Sequence, residues 1–339
     1  MKISGYTTVR NAVQMEYPFE QSIKSMLAFC DEVVVADSSD GTDKTQEVLK
    51  KLADNDKKLK VFHVDVPWGA PNHGIYDGKM KAVARSKCTG DYLWQQDADE
   101  VAEMGIRAKI ENLIDNAAEH MNAAPVVCLP VIEYWGSKDK VRIDVNPWKW
   151  RLSKNLPEIT HGIPKSLRKV ENGLLYAMHG TDGCDYINKK NGNIIVSSNF
   201  VTQDVEMLRR NALSDKQAAY QYQTWFNMVS EHLPTVYHFS WFSIEDKIKK
   251  FKNFWNASWI SLYNDKKPEG WNPFFSDKSL DEVTEKEIED LAYKLKTETG
   301  GWIFHSPWDG SKINHAKIDH LIHPLMKEWC EKHSNGNKK

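Results

Sequence analysis

Along the first 130 residues, short apolar runs alternate with stretches whose apolar positions recur every three or four residues. Ile3 to Val9 reads as a strand. Pro18 suits the first turn of a helix, and Ile23, Met26, Leu27 and Cys30 then share one helical face. The β-branched run Glu32 to Ala36 predicts a strand buried on both sides. Polar turn chemistry follows over Ser38 to Asp43, with Gln46 three residues after Asp43 at a helix start whose buried face is Val48, Leu49 and Leu52. Leu59 to Val64 predicts a third strand, and Met80, Val83 and Ala84 a helix ending near Thr89-Gly90. Asp91 to Gln96 reads as a fourth strand, Ile106, Ile110, Leu113, Ile114 and Ala117 as a helix, and Val126 to Ile132 as a further strand. This alternation predicts an α/β fold, a Rossmann-like and mostly parallel sheet with helices on both faces. Right-handed crossovers bring the loops after the strands to one edge, where ligands bind. Those loops are Arg10-Asn11, Asp37 to Asp40, Asp65 to Trp68 and Asp97 to Glu100, and three of the four begin with Asp.

Beyond residue 135 the pattern changes to short strands and loops, among them the aromatic strand Asn146 to Leu152. After 204 it becomes helical. Ala218, Tyr222, Trp225 and Val229 form one stripe, and Ile244, Ile248, Phe251, Trp255 and Trp259 another. Ile288, Leu291, Ala292 and Leu295 form a third, and Ile318, Leu321, Ile322, Leu325 and Trp329 a fourth. The expected division is an α/β half over 1–135, a region of short strands and loops over 136–240 and a helical, Trp-rich extension over 241–339.

Composition narrows the function. Of 339 residues, 45 are basic and 47 acidic, a formal net charge of −2, so there is no basic excess to hold a nucleic-acid backbone broadly. The 13 Trp serve core packing first and sugar or base platforms second. Five Cys without a CxxC pair fit a reduced cytoplasm. The N-terminus runs directly into a strand, and no run of about 18 apolar residues occurs, so neither a signal peptide nor a membrane span is expected.

The strongest chemical signal is Asp97-Ala98-Asp99-Glu100. Three carboxylates in four residues at the end of a buried strand are costly unless a positive charge meets them. Mn²⁺ or Mg²⁺ takes such oxygen ligands and bridges to phosphate. In a strand, Asp97 and Asp99 would face the same side, one on the metal and one on the metal or a ribose hydroxyl. A solvated acidic loop is the plainer alternative. Lys79 and Lys81, in the preceding helix, are candidates for a diphosphate, or simply a solvated helix face.

Three blocks resemble family 2 glycosyltransferases. They are Thr8-Val9-Arg10-Asn11, Glu32 to Thr42, and Gly90 to Glu100, the last similar to the "GDY, strand, DADE" signature of lipopolysaccharide-core-type enzymes. The resemblance spans about residues 3 to 135. It implies a GT-A fold and a nucleoside-diphosphate sugar donor, UDP-sugar favoured, with Thr8, Val9 and Arg10 flanking base and ribose and Asp37 on the base. Asp97 would reach ribose or metal and Asp99 the metal. Asn11-Ala12 and Ala36-Asp37 depart from the family's usual Asn-Glu and Asp-Asp. A further metal ligand is expected from a late His, with His238 first and His179 and His161 as competitors; a satisfied core histidine is the alternative. Gln203 to Arg209 resembles the family's "EDxxL" segment, which makes Asp204 the candidate base of an inverting reaction, ahead of Glu133, Asp182 and Asp185. An N-cap would suit Asp204 equally. Trp148, Trp150 and Trp241 are candidate walls of an acceptor site. The acceptor could be glycan, lipid-linked, protein or nucleobase. A nucleotidyltransferase is disfavoured because Tyr6 to Val13 contains no Gly, and a Trp-rich carbohydrate-binding protein because the acidic cluster is present.

Overall fold

The computed structural model describes residues 1–67, 75–143, 145–177, 183–198, 202–250, 282–297, 315–317 and 322–334. Its first half is a parallel sheet wrapped by helices. Strand β1 (Ile3–Val9) pairs in parallel with β2 (Glu32–Asp37) on one side and with β4 (Tyr92–Gln95) on the other, and β3 (Leu59–His63) extends β2. Alternate side chains leave opposite faces of such strands. Ile3, Val9, Val33 and Val35 therefore pack with Ile23 and Met26 of α1 (Phe19–Leu27) and Leu49 of α2 (Thr45–Asn55). Tyr6, Val34, Ala36 and Leu93 pack on the other side against Met80 and Ala84 of α3 (Tyr76–Ser86). Gly5 lets α1 and the residues after it come close: a Cβ there would stand 3.1 Å from Met26 Sδ and 3.0 Å from Cys30 Sγ.

The chain then adds β5 (Glu100–Ala102), α4 (Ile106–Ala117), a short α5 (His120–Ala123), β6 (Val126–Glu133), β7 (Lys140–Arg142) and β8 (Trp148–Lys154). β8 inserts antiparallel between β4 and β6. Small additions follow: β9 (Ile159–Gly162) with β12 (Asp185–Asn188), the hairpin β10 (Arg168–Glu171) and β11 (Leu174–Ala177), and β13 (Ser197–Ser198) beside β6. After α6 (Gln203–Ala212) and α7 (Lys216–His232), β14 (Val236–His238) returns to the sheet, parallel to β6 and antiparallel to β5. The sheet order is β3-β2-β1-β4-β8-β6-β14-β5. Strands β1, β2, β3, β4, β6 and β14 thus run the same way, and Val9, Asp37, His63, Gln95, Glu133 and His238 finish at one edge. The remaining described elements are α8 (Ile244–Lys250), α9 (Glu285–Thr297), β15 (His315–Lys317) on β7, and α10 (Lys327–Ser334). Trp135 donates from Nε1 to the Leu295 carbonyl at 3.0 Å, fixing α9 to the region after β6.

Two expectations need correction. β4 ends at Gln95, and Asp97 to Asp99 form a turn closed by the Glu100 amide on the Asp97 carbonyl at 3.1 Å; the chain resumes as β5. Asp97 and Asp99 thus lie on the turn, with no shared strand face, and Glu100 opens β5. The fourth stripe is not one helix either, because Pro324 disfavours helical backbone in the residue before it; a 3₁₀ turn (Pro324–Met326) comes first and α10 begins at Lys327. Ile318, Leu321, Phe251, Trp255 and Trp259 lie outside the described residues.

Candidate active site

The loops after β1 and β2 are stitched together by Asn11. Its backbone has φ 41°, a left-handed conformation that Asn tolerates better than most side chains. From there its amide accepts from the Asp40 N–H at 3.1 Å and donates to Asp40 Oδ1 at 3.0 Å, while its own N–H donates to Ser39 Oγ at 2.9 Å. Beside them is an open cleft of about 440 Å³ lined by Arg10, Ser38, Asp40, Gln46, His63 and Asp65. Asp37 is buried beneath it. Its carboxylate accepts from the Ser39 N–H at 3.0 Å and Gln46 Nε2 at 3.3 Å, and His63 Nδ1 stands 3.2 Å away. The hydrogen bond to Asp37 raises the His63 pKa above its ordinary value. Thr8 donates to Asp77 Oδ1 at 3.2 Å, the Val9 carbonyl accepts from the Ser38 N–H at 2.9 Å, and burial lowers the Arg10 pKa. His63 was not singled out in the sequence, although it ends the third strand at the same edge.

The acidic turn is anchored from below. Buried Gln96 donates from Nε2 toward the Glu100 carbonyl at 2.9 Å, Ser22 Oγ at 2.9 Å and Ser25 Oγ at 3.1 Å, and accepts from Trp94 Nε1 at 3.1 Å. Above it the two Asp side chains have different partners. Asp97 Oδ1 lies 2.8 Å from Lys81 Nζ, and Oδ2 lies 3.2 Å from Arg151 Nη2. Burial works to raise the Asp97 pKa, but Lys81 and Arg151 outweigh it and hold the carboxyl far below its usual range. Arg151 also binds Glu100 and donates to Gln95 Oε1 at 2.6 Å. Asp99 Oδ1 faces His238 Nε2 at 3.4 Å, and His238 Nδ1 faces Glu133 Oε2 at 3.6 Å. Burial opposes charge on this imidazole, yet the carboxylates on either side push its pKa up to about 10. Glu133 is held also by Arg142 at 3.2 Å. Protein cations therefore neutralise part of the acidic edge, where the sequence argument relied on a metal. The signal for Arg151 was present: a basic residue amid the apolar strand Trp148 to Leu152 rarely goes inside unless paired.

The other candidates separate clearly. Lys79 is exposed with its Nζ 4.5 Å from the Tyr76 ring centroid, whereas Lys81 is buried in the site. His161 is a core residue, bonded to Tyr6 Oη at 2.6 Å and the Cys184 carbonyl at 2.7 Å, and burial drives its pKa down to about 3. Asp204 is exposed in the first turn of α6, and the N-cap is Thr202, whose side chain accepts from the Val205 N–H. Asp185 lies on β12, paired with Gly162. Trp148 packs against Trp225 and Phe226, Trp241 against Trp135, and Trp150 Nε1 donates to Ser197 Oγ at 3.2 Å, so Trp148 and Trp241 are buried in packing. His179, Asp182 and Trp68 lie outside the described residues.

A mostly parallel sheet with helices on both faces, nucleotide-type loops at its carboxyl edge and an acidic turn after β4 define the GT-A fold. Residues 11–165, a little under half of the chain, match the family model described as Glycosyl transferase family 2. No curated protein matches the chain. Among solved structures, Staphylococcus aureus TarS is similar at 15% identity and a TM-score of 0.35, over 93% of this chain and 60% of that one. TarS 1–349 in complex with UDP-GlcNAc gives 17% and 0.31 over 94% and 100%. The mannosyltransferase PcManGT from Pyrobaculum calidifontis, in complex with GDP-Man and Mn²⁺, gives 18% and 0.29 over 38% and 35%. At these scores the three bear on neither substrate nor mechanism. No helix among the described residues is long and apolar enough to cross a membrane.

Proposed function

We propose that the chain transfers a sugar from a nucleoside-diphosphate sugar, with UDP-sugar favoured, to an acceptor hydroxyl with inversion at the anomeric carbon. One observation carries this reading beyond the family match: Asp99 and His238 approach to 3.4 Å at the edge that also holds the Asp37 cleft. Two ligands on one ion stand about 3 Å apart, so a carboxylate and an imidazole at this spacing would suit Mn²⁺ or Mg²⁺ shared with a diphosphate, the ion taking the place of the proton that His238 otherwise holds between Asp99 and Glu133. Such an ion would offset charge developing on the departing diphosphate. Glu133, behind His238, would keep the ring oriented. Asp97, already bound by Lys81 and Arg151, suits a ribose hydroxyl better than the metal. Arg10, with the Thr8 and Val9 backbone, would flank the base above Asp37.

Asp204 is proposed as the base. It is exposed and has no hydrogen-bond or ion-pair partner among the described residues, so its lone pairs are available; Glu133 is occupied by Arg142 and His238. The proposed division keeps 1–135 as the donor half, 136–240 as the acceptor half and 241–339 as an extension. Five free thiols, four of them buried, support a reducing, cytoplasmic setting.

The test is turnover of UDP-sugars with and without Mn²⁺. Asp99→Ala should lower kcat/KM at least about a hundredfold, the order of loss when a fixed electrostatic partner of developing charge is removed. Full activity in that variant, or turnover indifferent to chelator, overturns the metal reading. Asp204→Asn should cut kcat while leaving donor binding intact; an unchanged kcat removes Asp204 as base.

A further inference from the structure

On the far side of the loop that joins β1 to α1, three segments distant in sequence converge. Glu16 comes from that loop, Asp246 from α8 and His333 from α10, and one donor atom of each lies within 4.8 Å of the others. His333 is buried to 8% exposure. Its Nδ1 sits 2.7 Å from the Trp329 carbonyl, which can only accept, so Nδ1 carries the proton and Nε2 of the neutral ring carries a lone pair. That Nε2 is buried and has no hydrogen-bond partner among the described residues. A buried acceptor left unmade costs stability and calls for an explanation. Protonation is a poor one, because burial lowers the His333 pKa.

The surroundings are arranged like a ligand set. The imidazole stacks on Trp329, with ring centroids 4.0 Å apart and an interplanar angle of 19°, which fixes its plane. The Nδ1–H to carbonyl bond is the outer contact that metal-binding histidines use to present Nε2. Glu16 divides its oxygens: Oε1 accepts from Lys332 at 2.8 Å, and Oε2 faces His333 Nε2 at 3.8 Å. The Asp246 side chain has no hydrogen-bond partner among the described residues. Lys332 and Lys250 are the neighbouring cations that act on Glu16, and Lys250 Nζ lies over the Tyr17 ring at 4.7 Å.

We propose that Glu16, Asp246 and His333 bind a zinc-type divalent cation that clamps the C-terminal helix to the nucleotide-binding half. An imidazole with two carboxylates suits Zn²⁺, which prefers mixed nitrogen and oxygen ligands in a tetrahedron; Mg²⁺ and Ca²⁺ take oxygen alone. Ligands on one tetrahedral zinc stand about 3.3 Å apart, so the donors need only a small closing movement, available to the exposed Glu16 side chain. Water would fill the fourth position. The site is separate from Asp99 and His238 and does not rest on the transferase reading.

Zinc titration of the chelator-treated full chain, by calorimetry and metal analysis, decides the matter. One Zn²⁺ per chain should remain in Asp99→Ala, with Tm raised by several degrees, since binding to the folded state alone stabilises it. Glu16→Gln and Asp246→Asn should each weaken that binding at least tenfold and remove the Tm shift, and His333→Gln should abolish both. Glu16 and Asp246 are not buried, so their variants keep the test decisive if His333→Gln fails to fold. Loss of all zinc in Asp99→Ala, or wild-type binding in Glu16→Gln and Asp246→Asn, overturns the proposal.

Discussion

Asp97 and Asp99 are identical in type and two positions apart, yet their neighbours give them different chemistry. Asp97 is fixed between Lys81 and Arg151, and Asp99 is left to His238. Arg151 also neutralises Glu100, which is 1% exposed. Removing one member of a buried pair strands the other charge, so Arg151→Met should cost about 3–5 kcal/mol in urea unfolding. Glu32 gives a pH test. Burial works to raise its pKa, but bonds from Lys60, Ser4 and Thr89 bring it down to about 2, from 4.5. A depressed folded pKa stabilises above the unfolded value and loses that effect as pH falls. The advantage of wild type over Glu32→Gln should be roughly 1–3 kcal/mol at pH 7 and shrink between pH 4.5 and 2. At this scale the sequence singled out the acidic residues together with Lys81 and His238, but not their other partners. Arg151, Arg142 and His63 reach them from strands whose neighbours are set by topology, which spacing along the chain does not reveal.

Helix α3 shows how an element carries a residue to the site. A Cβ on Gly78 would fall 1.9 Å from the Gly183 carbonyl oxygen, so α3 can lie against that segment only without a side chain there. Lys81 follows less than one turn later and meets Asp97. Gly78→Ala should therefore destabilise by about 3 kcal/mol, as overpacking does, seen as a drop in Tm, and should weaken donor binding through displaced Lys81. Helices and strands of the first half were legible because each buries a local periodic face: Ile23 and Met26 are fully buried, as are Val33, Val34 and Val35. The loop after the fourth strand is where the sequence puts it, but the strand-like facing of Asp97 and Asp99 and the unbroken fourth stripe are not, because apolar spacing does not report where hydrogen bonding stops.

Across the whole molecule, legibility ends where pairing becomes long-range. β14 completes the sheet beside β6 about a hundred residues after it, and β5 then pairs with β14 rather than with its sequence neighbour β4. No local pattern encodes such closure, although it brings His238 opposite Glu133 and Glu100. The described Trp residues of the 241–339 region serve packing: Trp241 is buried against Trp135, and Trp329 packs on Phe239 and Phe242 just beyond β14. Trp329→Ala should cost roughly 3–5 kcal/mol by calorimetry.

Gln96 ties the acidic turn to Ser22 and Ser25 of the first helix. The turn is consequently furniture of the interior rather than a flap that arranges itself around its guest. Harm done to those two serines, some seventy positions upstream, would surface as silent chemistry in a molecule whose outline had not changed.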